Sequence, residues 1–533
     1  MSVKLKKEVV FGRELTLYAD AFDNLNEILL NSVQKFPDKE AIVFEDERIT
    51  YEAFYNRVKK VAAFLQKRFG VNKGDRVGIL SYNTVQFCET IFAASLIGGI
   101  FVPLNNRLKP SELQFILKDA QLKVLVVEDE LIKLAEESIS LANVDVEIVV
   151  IGNSDKYPLF NKIYEIEEEP TIPKIKREDP LYIMYTSGTT GLPKGALGTH
   201  LGISQNAYNF QLNLGTDHTD RTLITVPLFH VTGIVASLVH MIFVGGTSVI
   251  MHKFKTSKFL ELMDKEKITY INTVPTIFIF LINHENRDQY DLGSLKTAVT
   301  GGAPIAVNTV ERLLEIFPNL RFINNYGATE CTGSCTFSRA ETAVQKAASV
   351  GKFSAIIDWK IVDDEGNELP VGEPGELWIK GPTVIPEYWK NEKATQSEFV
   401  NGYWKSGDVG YIDEDGFFFL MDRKKDMITR GGENIYSAEI ENVLYNHPSV
   451  LEATVVGVPD EIFGEEVLAL IVLKEGLHAD ENDIRTFAAE HLADYKVPKY
   501  IEFVKEIPRN PSGKILKHKI REQFVERVKV KED

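Results

Sequence analysis

Tyr185-Thr186-Ser187-Gly188-Thr189-Thr190-Gly191-Leu192-Pro193-Lys194-Gly195 gathers glycines, hydroxyls and one lysine directly after the apolar run Leu181-Tyr182-Ile183-Met184. A strand that empties into such a loop suits phosphate. Glycines let backbone N–H groups turn inward, hydroxyls donate to oxygens or ligate a metal, and the lysine supplies compensating charge. It is not a Walker A loop, because Pro193 stands where G-x-x-x-x-G-K-[ST] needs its second glycine. Taken alone, such a loop reads equally well as surface linker. The same ambiguity attends the other polar stretches: Glu330 after Tyr326-Gly327-Ala328-Thr329 could open a helix, Asp408 in Ser406-Gly407-Asp408 could be a turn, and Lys514 in a Pro/Ser/Gly loop could be a solvated charge.

Composition narrows the chemistry. The chain has 533 residues, too many for one core. Its 44% hydrophobic and 26% charged content is that of a globular protein. A formal net charge of −17 argues against nucleic acid as a partner, since there is no basic surplus to release counterions. Three cysteines, Cys88, Cys331 and Cys335, imply no disulfide framework, and a cytoplasmic location is expected. The N-terminus lacks the apolar core of a signal peptide, and the terminal Lys-Glu-Asp is no peroxisomal signal. The uncharged-looking stretch 229–251 is long enough to raise a membrane question. Its histidines and glycines read better as a buried helix running into a buried strand, so no transmembrane segment is expected.

The elements that must position these residues follow a rhythm. Helix 24–36 buries Leu25, Ile28, Leu29 and Val33, and a hairpin follows at 41–44 and 48–50. Thr50 caps a helix whose inner stripe is Phe54, Val58, Val61, Leu65 and Phe69. Strands at 76–80, 100–104 and 124–127 alternate with helices at 84–96 and from Pro110. After the key loop come a helix from Leu201, strand 222–226, helix 234–243, strands 248–251 and 270–274, helix 305–316 and strand 321–324. Such alternation predicts α/β architecture, with parallel sheet covered on both faces. From about 350 the pieces become short, strand-like and turn-rich, predicting an antiparallel β subdomain. The string Asp422-Arg423-Lys424-Lys425-Asp426 reads as a hinge. Beyond it, helix 437–446, β runs 450–456 and 466–472, helix 483–492, strand 500–504 and a basic tail make a small α+β domain of about a hundred residues. The expected division is 1–421, hinge 422–426 and a mobile C-terminal domain over 427–533.

Five stretches, Tyr185–Gly195, Tyr326–Glu330, Tyr403-Trp404-Lys405-Ser406-Gly407-Asp408, Asp422–Asp426 and Pro511-Ser512-Gly513-Lys514, occur in the order and rough spacing of the adenylate-forming superfamily. That superfamily comprises acyl-CoA synthetases, peptide-synthetase adenylation domains and beetle luciferases; this chain resembles a fatty-acyl-CoA ligase most. The resemblance implies that a carboxylic acid and ATP form an acyl-adenylate and pyrophosphate, and that CoA then takes the acyl group. Thr186, Ser187, Gly188, Thr189, Thr190, Gly191 and Lys194 would hold the phosphates, with Thr186 and Glu330 at the magnesium-associated positions. Gly302, Ala303 and Pro304 would face Tyr326 across the adenine, with Asn325, Gly327, Ala328 and Thr329 completing the nucleotide site. Asp408 and Arg423 would hold the ribose. Lys514 would bridge the attacking carboxylate and the α-phosphate, then leave when the domain rotates at Lys425 to present Gly431, Gly432 and Glu433 to CoA. His230 would stand near the reacting carboxylate and steer it electrostatically.

The implied acyl pocket takes in His230, Gly233, Ile234, Ser237, Phe278, Gly302 and Gly327. No Asp or Glu lies between Phe229 and Met251, so an amino acid's ammonium would find no partner there. A medium-to-long aliphatic acid is expected, with an aryl acid the alternative because small residues such as Gly233 leave room. One departure stands out: luciferases and coumarate ligases carry a lysine where this chain has Thr429. A luciferase-like oxygenase, a stand-alone adenylation protein and a silent acyl-adenylate binder are the lesser readings. The oligomeric state is not legible, a homodimer being one option.

Overall fold

Two mainly parallel sheets dominate the N-terminal part of the chain, in a computed structural model that describes residues 3–186, 192–303, 305–342, 344–431, 433–509 and 515–532, with side chains up to 525. The first sheet has six strands in the order Lys194–Thr199, Pro180–Thr186, Ile100–Pro103, Arg76–Leu80, Val124–Glu128 and Glu147–Ile151. All its pairings are parallel except the outermost, where Lys194–Thr199 runs back against Pro180–Thr186. The nine-stranded second sheet has a parallel centre of Arg321–Ala328, Thr297–Thr300, Tyr270–Thr273, Arg221–Ile224, Thr247–Ile250 and Glu40–Phe44. Alternation along these strands divides their side chains between two cores: Ile42, Ile224, Ile250, Val299 and Ile323 face one, Val43, Leu223, Val249, Ala298 and Phe322 the other.

Helices cover the sheets as the apolar periodicity requires. Tyr51–Phe69 is capped by the Thr50 side chain, which accepts from the Ala53 N–H, and ends at Gly70 in the left-handed conformation. Asn83 ties the sheets together: its amide donates to the carbonyls of Val226 and Met251 and accepts from the Leu228 N–H. The stretch expected as one buried helix and a strand is a π-helix, Thr232–Val239, then a short α-helix, His240–Val244, then the strand Thr247–Ile250.

Beyond these sheets, Asp358–Val362, Gly375–Lys380, Tyr403–Ile412, Phe399–Val400 and Phe418–Arg423 form an antiparallel five-stranded sheet. A second five-stranded sheet joins Glu433–Ile435, Ile428–Arg430, Gly464–Leu473, Val450–Asp460 and Tyr500–Phe503, with apolar clusters of its own. The basic tail expected at the C-terminus is instead the helix Lys517–Glu532, and Ile520 and Phe524 bury its inner face. Further elements went unread, among them the hairpin Leu5–Val10 with Arg13–Tyr18, the helices Ile132–Ala142, Thr256–Lys265 and Pro275–Asn283, and the strands Glu147–Ile151, Lys194–Thr199, Thr297–Thr300 and Gly333–Phe337. Among the described residues no helix is long and apolar enough to cross a membrane.

Three histidines are held neutral inside the N-terminal part. Burial lowers His200 and His230 to about 4 and His240 to about 3. Their folded values lie below the unfolded one, so from pH 6.5 downward the unfolded chain binds more protons than the native one. Stability should therefore fall with pH, by as much as about 1.4 kcal/mol per pH unit for each histidine. Urea midpoints recorded from pH 7.5 to 4.5 should drop steadily below 6.5; midpoints constant down to pH 5 would contradict these environments.

Candidate active site

Thr186 and Lys194 stand opposite each other in register, so the antiparallel pair closes the base of the Gly/Thr-rich loop. Ser187, Gly188, Thr189, Thr190 and Gly191 lie outside the described residues. The Thr186 hydroxyl reaches Glu330 Oε1 at 3.3 Å. Glu330 sits in the tight turn Thr329–Cys331 after the strand Arg321–Ala328, and burial pushes its carboxyl above the usual range, with Lys194 opposing. The Tyr388 hydroxyl lies 3.2 Å from the same Oε1 and donates to Glu398 Oε2 at 2.7 Å. Trp404 Nε1 donates to the Tyr388 oxygen at 3.2 Å. The Lys194 ammonium pairs with Glu398 and lies 4.6 Å from the centre of the Tyr388 ring. Sequence reasoning missed Tyr388 and Glu398, and named Trp404 only as part of the motif ending in Asp408; an acidic residue ending a short helix looks like ordinary surface.

A divalent ion fits these donors. Thr186 Oγ1 and the Glu330 carboxylate are hard oxygens, close together, and burial pushes the carboxyl above its usual range, so a compensating cation would be favoured beside it. Among the described residues no group of three or more His, Cys, Asp or Glu side chains gathers around one point. Such an ion would draw its other ligands from nucleotide and water.

The second cluster forms across the antiparallel β sheet. Asp408 and Arg423 are register partners on Tyr403–Ile412 and Phe418–Arg423, and Arg423 Nε lies 3.0 Å from Asp408 Oδ1. The Tyr326 hydroxyl donates to Asp408 Oδ2 at 2.6 Å, fixing the carboxylate from its other side. Tyr326 is only 6% exposed and packs edge-on against Phe418, so its evident work is to orient Asp408. Each Asp408 oxygen keeps a lone pair for a further donor. Asp408→Asn should raise the KM for ATP about tenfold or more, as expected for losing a charge-assisted hydrogen bond, and leave the KM for the acid unchanged; steady-state kinetics with each substrate varied checks this.

Gly302 follows the strand Thr297–Thr300, and Gly327 lies in the C-terminal part of its parallel neighbour Arg321–Ala328, on the side where open α/β sheets bind ligands. Gly302 has φ +77° with open space around it, whereas a Cβ at Gly327 would lie 2.0 Å from the Gly333 carbonyl oxygen. Asn325 is buried beside Gly301 on the same rim, and Ala303, Ala328 and Thr329 are part-exposed there. Pro304 lies outside the described residues.

His230 precedes the π-helix that carries Gly233, Ile234 and Ser237, and its Nε2 is buried without a hydrogen-bond partner among the described residues. Held near 4, the ring is uncharged at neutral pH, so it can orient a carboxylate by hydrogen bonding and not by the charge expected from sequence. Two pocket expectations change. A Cβ at Gly233 would lie 2.4 Å from the Pro227 carbonyl oxygen, so this glycine admits backbone and leaves no cavity. Phe278 packs against Phe322 in the core on the far side of the nine-stranded sheet from Ile234, because neighbouring strand residues point to opposite faces.

The stretch expected to be a hinge turns tightly: the N–H groups of Asp426 and Met427 both donate to the Arg423 carbonyl, and the Lys425 side chain is exposed. Asp422 Oδ2 accepts from the Ser437 N–H and hydroxyl at 2.8 and 2.6 Å. From the C-terminal helix, Lys517 pairs with Glu441 at 3.1 Å, while Arg521 pairs with Asp426 at 3.5 Å and donates to the Lys425 carbonyl. Gly431 has φ +59°, its N–H donates to the Phe463 carbonyl, and Glu433 is exposed beside it. Gly432 and Lys514 lie outside the described residues. The structure thus brings Thr186, Lys194 and Glu330 together, and Tyr326, Asp408 and Arg423 together.

Residues 29–389 match the AMP-binding enzyme family and residues 439–514 its C-terminal domain. The chain belongs to the AMP-binding enzyme family. This AMP-binding enzyme is 35% identical to a long-chain-fatty-acid–CoA ligase of Bacillus subtilis (strain 168), over 95% of its own length and 96% of the relative's. It is 36% identical to a feruloyl-CoA synthase of an Amycolatopsis species, over 92% and 96%. Among solved structures, the anthranilate CoA ligase AuaEII in complex with anthranoyl-AMP aligns with a TM-score of 0.88 and 29% identity, over 94% of this chain and 97% of that one. The large N-terminal and small C-terminal architecture is that of the adenylate-forming enzymes, and this AMP-binding enzyme is an AMP-forming acid–CoA ligase acting through an acyl-adenylate.

Proposed function

We propose that this AMP-binding enzyme joins a medium-to-long aliphatic carboxylic acid to CoA. The observation that carries the reading is the wall beside His230: from Gly233 through Val244 every residue is buried, and neither Asp nor Glu occurs there. An ammonium-bearing acid would meet no counter-charge on that wall. An aryl acid is the second reading, favoured by the feruloyl- and anthranilate-activating relatives. The packing at Gly233 weighs against it, because the room expected there is filled by backbone.

In the first half-reaction a carboxylate oxygen of the acid bonds to the α-phosphorus of ATP as the bond to the β-phosphate oxygen breaks, and pyrophosphate leaves. The acid is already ionised at neutral pH, so the protein's task is positioning and neutralisation. Lys194 and the 187–191 loop would hold the leaving phosphates, Asp408 and Arg423 the ribose, and Tyr326 with Gly302, Ala303 and Pro304 the adenine. Thr186 and Glu330 would hold magnesium, which when bound neutralises phosphate charge. Neutral His230 would donate to or accept from the acid's carboxyl region. Lys514 would bridge carboxylate and α-phosphate. In the second half-reaction the CoA thiol loses its proton to solvent as its sulfur bonds to the acyl carbon and AMP leaves, after rotation at Lys425 has replaced Lys514 with Gly431, Gly432 and Glu433. The free, buried cysteines suit a cytoplasmic enzyme.

A panel of aliphatic acids of increasing chain length, with benzoate and cinnamate derivatives, assayed by AMP release in the presence of CoA, tests the substrate class. Greatest kcat/KM among the longer aliphatic acids is the expected outcome; a preference for the aromatic acids would overturn it.

A further inference from the structure

The Lys194 side chain is 11% exposed, on the strand that closes the Gly/Thr-rich loop, and its ammonium faces a carboxylate of this chain. That carboxylate, Glu398, is 27% exposed and ends the short helix Glu392–Glu398. Its other oxygen accepts from the Tyr388 hydroxyl, which also lies against Glu330. Tyr388 is itself buried, with Trp404 donating to its oxygen and Lys194 over its ring. The result is a continuous chain of contacts, Lys194–Glu398–Tyr388–Glu330–Thr186, running from one end of the phosphate loop to the other.

A lysine that neutralises triphosphate needs a counter-charge before the nucleotide arrives, because a largely buried ammonium left unpaired is unfavourable. We propose that Glu398 is the placeholder anion of the triphosphate site: it holds the Lys194 ammonium in place before the nucleotide binds and yields it to the phosphates of MgATP. Glu398 is thus a positioning residue that acts through Lys194, and the inference rests on the reading of Lys194 as a phosphate partner. Its two oxygens divide the work. One pairs with Lys194 until the nucleotide takes it, and the other stays on Tyr388, so the hydroxyl beside Glu330 keeps its place when the ion pair opens.

The consequence runs against the usual expectation for a residue at an active site. Taking the charge from Glu398 removes a stabilising pair from the free enzyme and nothing comparable from the MgATP complex. By linkage the nucleotide must then bind more tightly and stabilise the fold by a larger amount. Glu398→Gln is the suitable change, since its amide can still accept from Tyr388. For a pair exposed to this degree the gain in MgATP affinity should be about threefold or more.

The test measures MgATP dissociation constants without acid or CoA, together with the rise in Tm that saturating MgATP produces. Wild type, E398Q, K194M and the double variant are compared. The expected result is tighter binding and a larger Tm rise in E398Q, weaker binding in K194M, and no gain from E398Q once Lys194 is gone. Weaker binding in K194M with unchanged or weaker binding in E398Q would overturn the placeholder and leave the Lys194 reading intact. Unchanged binding in K194M would overturn the Lys194 reading, and the placeholder with it.

Discussion

Glu330→Gln should lower acid-dependent AMP formation by about 10²–10³-fold, the scale seen when one preorganised charge-stabilising group is removed from an active site. Glu330 is the carboxylate that touches Thr186 at the base of the Gly/Thr-rich loop, so under the proposed reading its charge would face a magnesium-bound triphosphate. Folding should not suffer. Burial already disfavours the ionised side chain, and a neutral amide of the same shape removes that cost, so Tm should hold or rise. The loss should appear in kcat and in the magnesium concentration needed for half-maximal rate, whereas conversion of supplied acyl-AMP to acyl-CoA should be largely spared. Stopped AMP assays across a magnesium titration, beside a thermal melt, give both numbers.

Lys514→Ala should be at least as damaging to the adenylation step, by about 10²–10³-fold, while leaving the thioester step largely intact. The lysine's neighbours give it an unusual base. Arg509 and Ile515 pair as an antiparallel bridge, and the Leu516 N–H donates to the Pro508 carbonyl, so the ends of the 510–514 segment are pinned together. Directly afterwards Lys517 and Arg521 attach the C-terminal helix to Glu441 and to the proposed hinge residues Lys425 and Asp426. A rotation at the hinge would therefore carry the base of the Lys514 segment with it. Acid-dependent pyrophosphate release, compared with acyl-AMP turnover by CoA, separates the steps; equal loss in both would refute alternating domain faces.

The motifs and the sheet rhythm were legible because they depend on local chemistry. Thr50 as a cap, the Phe54, Val58, Val61 and Leu65 stripe, and the turn-rich β segment beyond 350 all announce themselves by spacing. Elements without such a signature were missed. Lys194–Thr199 contains two glycines and reads as loop, although it forms the edge of the six-stranded sheet. The π-helix at Thr232–Val239 is apolar on every side, so no period distinguishes it from an α-helix. The C-terminal helix did leave a trace, Ile520 and Phe524 at helical spacing, masked by the surrounding charge. Within the site, sequence named Asp408, Arg423 and Glu330. Pairing across distant segments supplied what it could not show, the Tyr326 hydroxyl on Asp408 and Glu398 on Lys194.

The most direct test is isotope exchange between pyrophosphate and ATP, in the absence of CoA, with purified enzyme, magnesium and a saturating aliphatic acid. Label should enter ATP only when the acid is present, and removing Lys514 or neutralising Glu330 should silence it. Exchange that requires CoA, or that proceeds equally well without any acid, would contradict a mechanism built on a free-standing acyl-adenylate step.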